Sequence, residues 1–244
     1  MVKIAGANRK QTGCREQDNL ELRVRRISFA AMKLPKDRVA VKICGVNNRE
    51  DALAAVDAGA DLLGFNTWRG TKRFVDLEAN AEWIAALPVT RVALLINASL
   101  EETQRVAALP FIDALQLHGE EDAAFCERAA AFGKPLIKAI RLGSAAALHG
   151  ADQFSTPHVL VDAHVPGAFG GTGASVDLAL ARACRELFPQ LTLWLAGGLR
   201  PDNVTSAIAT VKPQVVDVSS GVESEAYRKD PVQMRRFIAA ARQV

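Results

Sequence analysis

The sequence predicts a single (β/α)8 barrel over residues 39–244, preceded by a basic N-terminal extension over residues 1–38, and three observations carry that reading. From residue 39 onward, short runs rich in Val, Leu and Ile alternate with longer Ala-rich segments of helical period, and eight such βα units can be counted. No GxGxxG follows the first strand, which turns the reading away from an open dinucleotide-binding sheet. A chain of 244 residues, 49% hydrophobic and 23% charged, also buries a sizeable core without disulfide staples.

The strands are expected near 39–44, 61–66, 91–96, 113–117, 136–140, 158–162, 191–196 and 214–218, with a helix after each. Strand one is followed by Asn47 as an N-cap, the helical run REDALAAVDAG and Gly59 as its stop. After strand three, Ser99 and Glu102 form a capping-box pattern. Pro201 suits the first turn of the helix after strand seven, and Asp230-Pro231 opens the last helix.

Charge is uneven along the chain. Residues 1–38 carry a formal +6 and the remainder −3, so the barrel offers no basic face for nucleic acid, and the leader reads as a solvated tail. Met32 is a second candidate start for translation. Cys14, Cys44, Cys126 and Cys184 are scattered without a CxxC pair, which predicts reduced thiols and a cytoplasmic protein. No apolar run reaches the roughly eighteen residues of a membrane span, and no HExxH or comparable ligand spacing predicts a metal site.

In a barrel of this kind catalytic groups lie at the C-terminal ends of the strands. Alternation along strand one sends Lys42 and Cys44 inward and turns Val41 and Ile43 toward the helices. A free cysteine often merely fills a small apolar site, so Cys44 is a candidate by position only. Asp162 ends strand six inside the barrel and precedes a Gly-rich segment, Gly167 to Gly173, too long for a minimal strand-to-helix turn. Gly197-Gly198 and Ser219-Ser220-Gly221 end strands seven and eight, the loops where barrels often hold a phosphate; separately, each reads as a tight turn. Gln116 and His118 share one face at the end of strand four, as lining or as a satisfied structural pair.

KICG (Lys42 to Gly45), EDALAAVDAGADLLGF (Glu50 to Phe65), QLHG (Gln116 to Gly119), VDAHVPGAFGGTG (Val161 to Gly173), LAGGLRPDNV (Leu195 to Val204) and DVSSGVE (Asp217 to Glu223) together closely resemble phosphoribosylanthranilate isomerase. The resemblance implies a cofactor-free Amadori rearrangement in tryptophan biosynthesis, with Asp162 as general acid on the furanose oxygen and Cys44 as general base at C2′. It further implies Arg73 on the anthranilate carboxylate, Gln116, His118, Gly171 and Gly173 around the substrate, and Gly197, Gly198, Ser219, Ser220 and Gly221 on its phosphate. The expected partner is this small molecule alone, bound by a monomer or homodimer. Lys42 is expected to pair with Asp217 on the neighbouring strand eight. Thr67 and Thr71-Lys72 depart from the family pattern, leaving Trp68 as the candidate aromatic surface. The related barrel isomerase of histidine biosynthesis is the competing enzyme, but it uses an aspartate as base on strand one. A non-catalytic phosphosugar-binding barrel and Schiff-base chemistry at Lys42 or Lys138 are the readings from other classes.

Overall fold

Along β1 (Ala40–Cys44) the side chains alternate as expected: Val41 and Ile43 join the apolar layer beneath the helices, while Ala40 joins the layer that fills the barrel. A computed structural model of the chain describes residues 32–163, 174–225 and 227–244. In it, β1 is followed by β2 (Leu62–Asn66), β3 (Thr90–Leu95), β4 (Ala114–Leu117), β5 (Leu136–Leu142), β6 (His158–Ala163), β7 (Thr192–Leu195) and β8 (Val215–Val218). All pair in parallel, and β8 closes on β1 through the register Lys42 opposite Asp217. The expected strands therefore all form, with ends within two residues of those read from the alternation.

The helices are α1 (Arg49–Ala58), α2 (Ala81–Ala85), α3 (Leu100–Ala107), α4 (Ala123–Ala130), α5 (Leu178–Leu187), α6 (Val204–Val211) and α7 (Pro231–Ala241). Asp230 caps α7 with Pro231 as its first residue, and Ser99 caps α3 by accepting from Glu102 N at 3.0 Å. Gly59 ends α1 at φ 95, a left-handed conformation that costs a glycine little.

Three expectations are corrected. Asn48, not Asn47, caps α1, because its Oδ1 is the one that reaches Asp51 N at 2.9 Å; the Asn47 amide instead donates to Lys72 O. Pro201 lies in the turn leading into α6 rather than in the helix itself. After β5 only a 3-10 helix forms, Ala145–Gly150, in a run bracketed by Gly143 and Gly150, residues that disfavour continuing an α-helix on either side.

Ala40, Leu62, Val92, Ala114, Ile137, Leu160, Trp194 and Val215 fill the lower interior, and Met32 and Leu34 pack against this layer from below. Arg38 anchors the same segment by a fork onto Asp61 at 2.6 and 2.8 Å. Residues 1–31, including Cys14, lie outside the described residues. Among the described residues the lower half of the barrel is packed mainly by apolar side chains, with His158 edge-on to Trp194, while the buried Lys42–Asp217 pair and Asp162 lie higher, toward the C-terminal mouth.

Candidate active site

The wall formed by β1, β2 and β8 carries the thiol. Lys42 is fully buried and its ammonium grips both oxygens of Asp217 at 2.9 and 3.0 Å, the pairing expected from strand neighbourhood. One turn of the pleat higher, Cys44 lies opposite Gly64 of β2. A Cβ on Gly64 would come within 2.8 Å of Cys44 Sγ and 2.9 Å of Lys42 Cε and Nζ, so the missing side chain is the space both groups occupy. Burial, and then the Asp217 carboxylate, push the Cys44 thiol up, while Lys42 and Lys229 pull it the other way. Cys126 and Cys184 are buried among apolar residues, where desolvation raises both to about 11.

The opposite wall carries the carboxyl. Asp162 follows Leu160 on the interior face of β6 and accepts a backbone hydrogen bond from Ala163 N at 2.8 Å through Oδ1. Its Oδ2 meets His118 Nε2 at 3.2 Å, and His118 Nδ1 meets Gln116 Nε2 at 2.8 Å. Gln116 and His118 thus share a face as expected, but as a buried chain behind Asp162. In this arrangement, with the Gln116 amide donating, the Nδ1 it reaches is unprotonated and Nε2–H points at Asp162. Gly197, at φ 89, lets β7 approach here: a Cβ on it would stand 2.8 Å from Ala163 N and 3.0 Å from Asp162 Oδ1.

Of the basic residues after β2, Arg69 turns outward, stacking on Phe74 and loosely pairing with Asp76 at 3.8 Å. Arg73 alone is drawn into the mouth. Its stem crosses Gly45, whose Cβ would lie 2.6 Å from Arg73 Cδ, and its guanidinium donates from Nε and Nη2 to the two oxygens of Glu223 at 2.8 and 2.9 Å. Lys229 donates to the same Glu223 at 2.7 Å and to Ser219 O at 3.1 Å. These two cations hold the Glu223 carboxylate below its usual range against the opposing effect of burial. Tyr227 lies over the Arg73 guanidinium at 4.9 Å and near Lys72 at 5.3 Å. Trp68 sits farther out, lining a cavity of about 470 Å³ with Thr67, Ile96 and Asn97.

The loops after β7 and β8 interlock. Gly198 is held at φ 66 with its carbonyl accepting from Asn203 Nδ2 at 3.0 Å, and Gly221 packs so closely on the Leu199 carbonyl that no side chain fits. Ser220 opens a short 3-10 turn, Ser220–Val222, while Ser219 O and Oγ face Lys229 Nζ. Gly171 and Gly173 lie outside the described residues.

Among the described residues no group of three or more His, Cys, Asp or Glu is gathered that could hold a metal ion, and no helix is long and apolar enough to cross a membrane. Schiff-base chemistry at a strand lysine finds no support: Lys42 is locked on Asp217, and Lys138 on Glu121 at 2.7 Å and Gly119 O at 2.9 Å. What remains is a buried thiol and a buried carboxyl separated by β7 and β8, with an arginine and two glycine-bearing loops at the same mouth. Such a mouth can transfer protons on two sides of a small anionic substrate. Gly64, Glu223, Tyr227 and Lys229 were not singled out in the sequence. Only Glu223, directly after SSGV, carried a signal, its charge at a strand-end loop.

A family model described as N-(5′-phosphoribosyl)anthranilate (PRA) isomerase matches residues 41–240. The N-(5′-phosphoribosyl)anthranilate isomerase of Magnetococcus marinus is 43% identical over 206 residues, covering 84% of this chain and 95% of that protein. That of Pseudomonas fluorescens is 44% identical over 211 residues, covering 84% and 98%. Among solved structures, the phosphoribosyl anthranilate isomerase of Thermotoga maritima matches with a TM-score of 0.73 at 36% identity, over 83% of this chain and 98% of that one. A phosphoribosyl anthranilate isomerase in complex with reduced 1-(o-carboxyphenylamino)-1-deoxyribulose 5-phosphate matches with a TM-score of 0.70 at 34% identity, with the same coverage.

Proposed function

The chain belongs to the N-(5′-phosphoribosyl)anthranilate isomerase family, and from that premise we propose that Cys44 and Asp162 are the two proton-transfer groups of its reaction. The protein isomerises N-(5′-phosphoribosyl)anthranilate to 1-(2-carboxyphenylamino)-1-deoxyribulose 5-phosphate in tryptophan biosynthesis. The observation that carries the residue assignment is the buried thiol on β1 with the buried carboxyl across the mouth on β6.

Asp162 protonates the furanose ring oxygen, the bond from C1′ to that oxygen breaks, and the nitrogen lone pair completes a protonated Schiff base. Cys44 removes the C2′ proton, and the electron pair left behind neutralises the iminium to give an enolamine. Loss of the hydroxyl proton and protonation of C1′ then yield the ketone. The reaction thus consumes one proton from Asp162 and delivers one to Cys44, and exchange with solvent resets both. Burial raises the thiol's pKa, so Cys44 must first release its own proton to solvent and then takes the C2′ proton as the thiolate. The iminium supplies a positive charge that acidifies C2′ and, with Lys42 and Lys229, favours the thiolate when it is needed. His118, held by Gln116, keeps Asp162 aimed into the mouth.

Arg73 takes the anthranilate carboxylate, and Gly197, Gly198, Ser219, Ser220 and Gly221 take the phosphate, with Gly171 and Gly173 as further substrate-binding positions. A cytoplasmic location and a monomeric or homodimeric state belong to the same proposal; a solved relative from Thermotoga maritima is described as monomers generated from a dimeric enzyme.

The test is steady-state turnover followed by loss of substrate fluorescence. Cys44→Ala and Asp162→Asn should each lower kcat by about a hundredfold or more with KM within a few-fold, since both groups act chiefly in the transition state. Wild-type turnover in Cys44→Ala would return the thiol to a packing role. Arg73→Ala should instead raise KM by about tenfold to a hundredfold, the loss of one charged contact distant from the bonds that change.

A further inference from the structure

We propose that Glu223 and Tyr227 are positioning residues that hold the Arg73 guanidinium ready for an incoming carboxylate; the proposal rests on the assignment of Arg73 to the anthranilate carboxylate. Arginine presents two forks, a side edge formed by Nε with one terminal nitrogen and an end edge formed by the two terminal nitrogens. Glu223 binds the side edge, through Nε at 2.8 Å and Nη2 at 2.9 Å. Those bonds leave the end edge, with the same bidentate spacing, for a second carboxylate. Tyr227 covers one face of the guanidinium at 4.9 Å. An edge and a face fixed together define both the plane of the group and its rotation, so little orientational freedom is left to lose when ligand binds.

Charge points the same way. Arg73 and Lys229 share the single carboxylate of Glu223, so the trio carries one positive charge that it does not neutralise itself. Asp51 accepts from the Lys229 backbone N–H, but its carboxylate also faces Arg228 at 3.4 Å. Lys72, on the Tyr227 ring, adds another positive charge rather than removing one. A ligand carboxylate completes the balance.

The backbone supports the clamp. Glu223 and Lys229 pair as an antiparallel bridge, and within the loop they close, Tyr227 stands at φ 75, a conformation an aromatic residue rarely adopts. Strain of this kind persists where surrounding contacts over-determine it, and ligand clamps are such places. The contacts here are the two cations under the ring.

The test compares inhibition by reduced 1-(2-carboxyphenylamino)-1-deoxyribulose 5-phosphate with inhibition by its counterpart lacking the ring carboxylate. Glu223→Gln should weaken binding of the carboxylated compound by about tenfold and leave the other within about twofold. In an Arg73→Ala background the same change should add less than about twofold, because Glu223 acts through the arginine. Tyr227→Phe should behave as wild type. Tyr227→Gly removes the strained φ, so its melting temperature should hold or rise, yet selectivity for the carboxylated compound should fall several-fold. A purely structural residue would not separate stability from selectivity in this way, and this arm stands even if Glu223→Gln does not fold. Equal losses for both compounds, additivity with Arg73→Ala, or unchanged selectivity in Tyr227→Gly would overturn the proposal. If Arg73→Ala itself keeps wild-type selectivity, the carboxylate assignment fails and the proposal falls with it; if Arg73→Ala loses selectivity while Glu223→Gln and Tyr227→Gly keep it, only the positioning role is refuted.

Discussion

Gly64→Ala is a one-carbon change that should damage both stability and catalysis. The new methyl would lie 2.8 Å from Cys44 Sγ and 2.9 Å from Lys42 Cε and Nζ, while ordinary contact begins near 3.4 Å, so its neighbours must give way by about half an ångström. Neither can move freely. Cys44 is a short side chain fixed to β1, and the Lys42 ammonium, fully buried, is already committed to both oxygens of Asp217. If the pair adjusts without breaking, overpacking should cost about 1–3 kcal/mol. If the ammonium is driven off the carboxylate, the loss should approach the roughly 3–5 kcal/mol of a broken buried ion pair. Displacing the thiol by a large fraction of an ångström should also lower kcat by about tenfold to a hundredfold. KM should change little, because the three atoms nearest a Cβ at this position belong to Cys44 and Lys42. Urea unfolding and substrate fluorescence read the two effects. A variant within about 0.5 kcal/mol and twofold in kcat of the wild type would show that this layer has slack, and would refute the argument that Gly64 exists to make room for the thiol and the lysine.

Lys42→Met should destabilise the fold by about 3–5 kcal/mol by leaving Asp217 buried and unpaired, and the double variant Lys42→Met/Asp217→Leu should recover most of that loss; independent, additive losses in urea unfolding would show that the two groups do not depend on each other. His158 is held neutral by burial, its pKa lowered from an ordinary 6.5 to about 4. The unfolded chain therefore takes up this proton more readily, so the stability it contributes is complete above about pH 6.5 and is lost as pH falls toward 4, a total on the order of 3 kcal/mol. His158→Leu should remove this part of the slope between pH 7 and 4.5, and an unaltered slope would mean that His158 titrates normally. Inorganic phosphate should compete with substrate, and Gly198→Ala, strained at φ 66 and crowded by Ser175 Cα at 2.8 Å, should weaken that competition; phosphate inhibition that is non-competitive would place the anion elsewhere.

The barrel and the face on which each strand residue lies were legible in the sequence because both depend on local periods. Period-two alternation placed Lys42 and Cys44 inside, Gln116 and His118 together, and Asp162 inside at the end of strand six, and caps such as Ser99 and Asp230 needed only neighbours three residues away. The Lys42 to Asp217 pair was also legible, since closing eight strands makes the first and last neighbours. Where turns and not periods decide, the sequence pattern is ambiguous: Asn48 rather than Asn47 caps α1, Pro201 lies before α6, and after β5 a 3-10 helix stands in place of an α-helix. Only the tertiary structure showed His118 as the partner of Asp162, 44 residues away, and Glu223 on the side edge of Arg73, 150 residues away. It alone decided the direction in which Cys44 is shifted, because that depends on burial and on the balance among Asp217, Lys42 and Lys229. Periodicity is written in adjacent residues, but a charge acts through space, and which charges meet is settled only when the loops after distant strands are brought to one mouth.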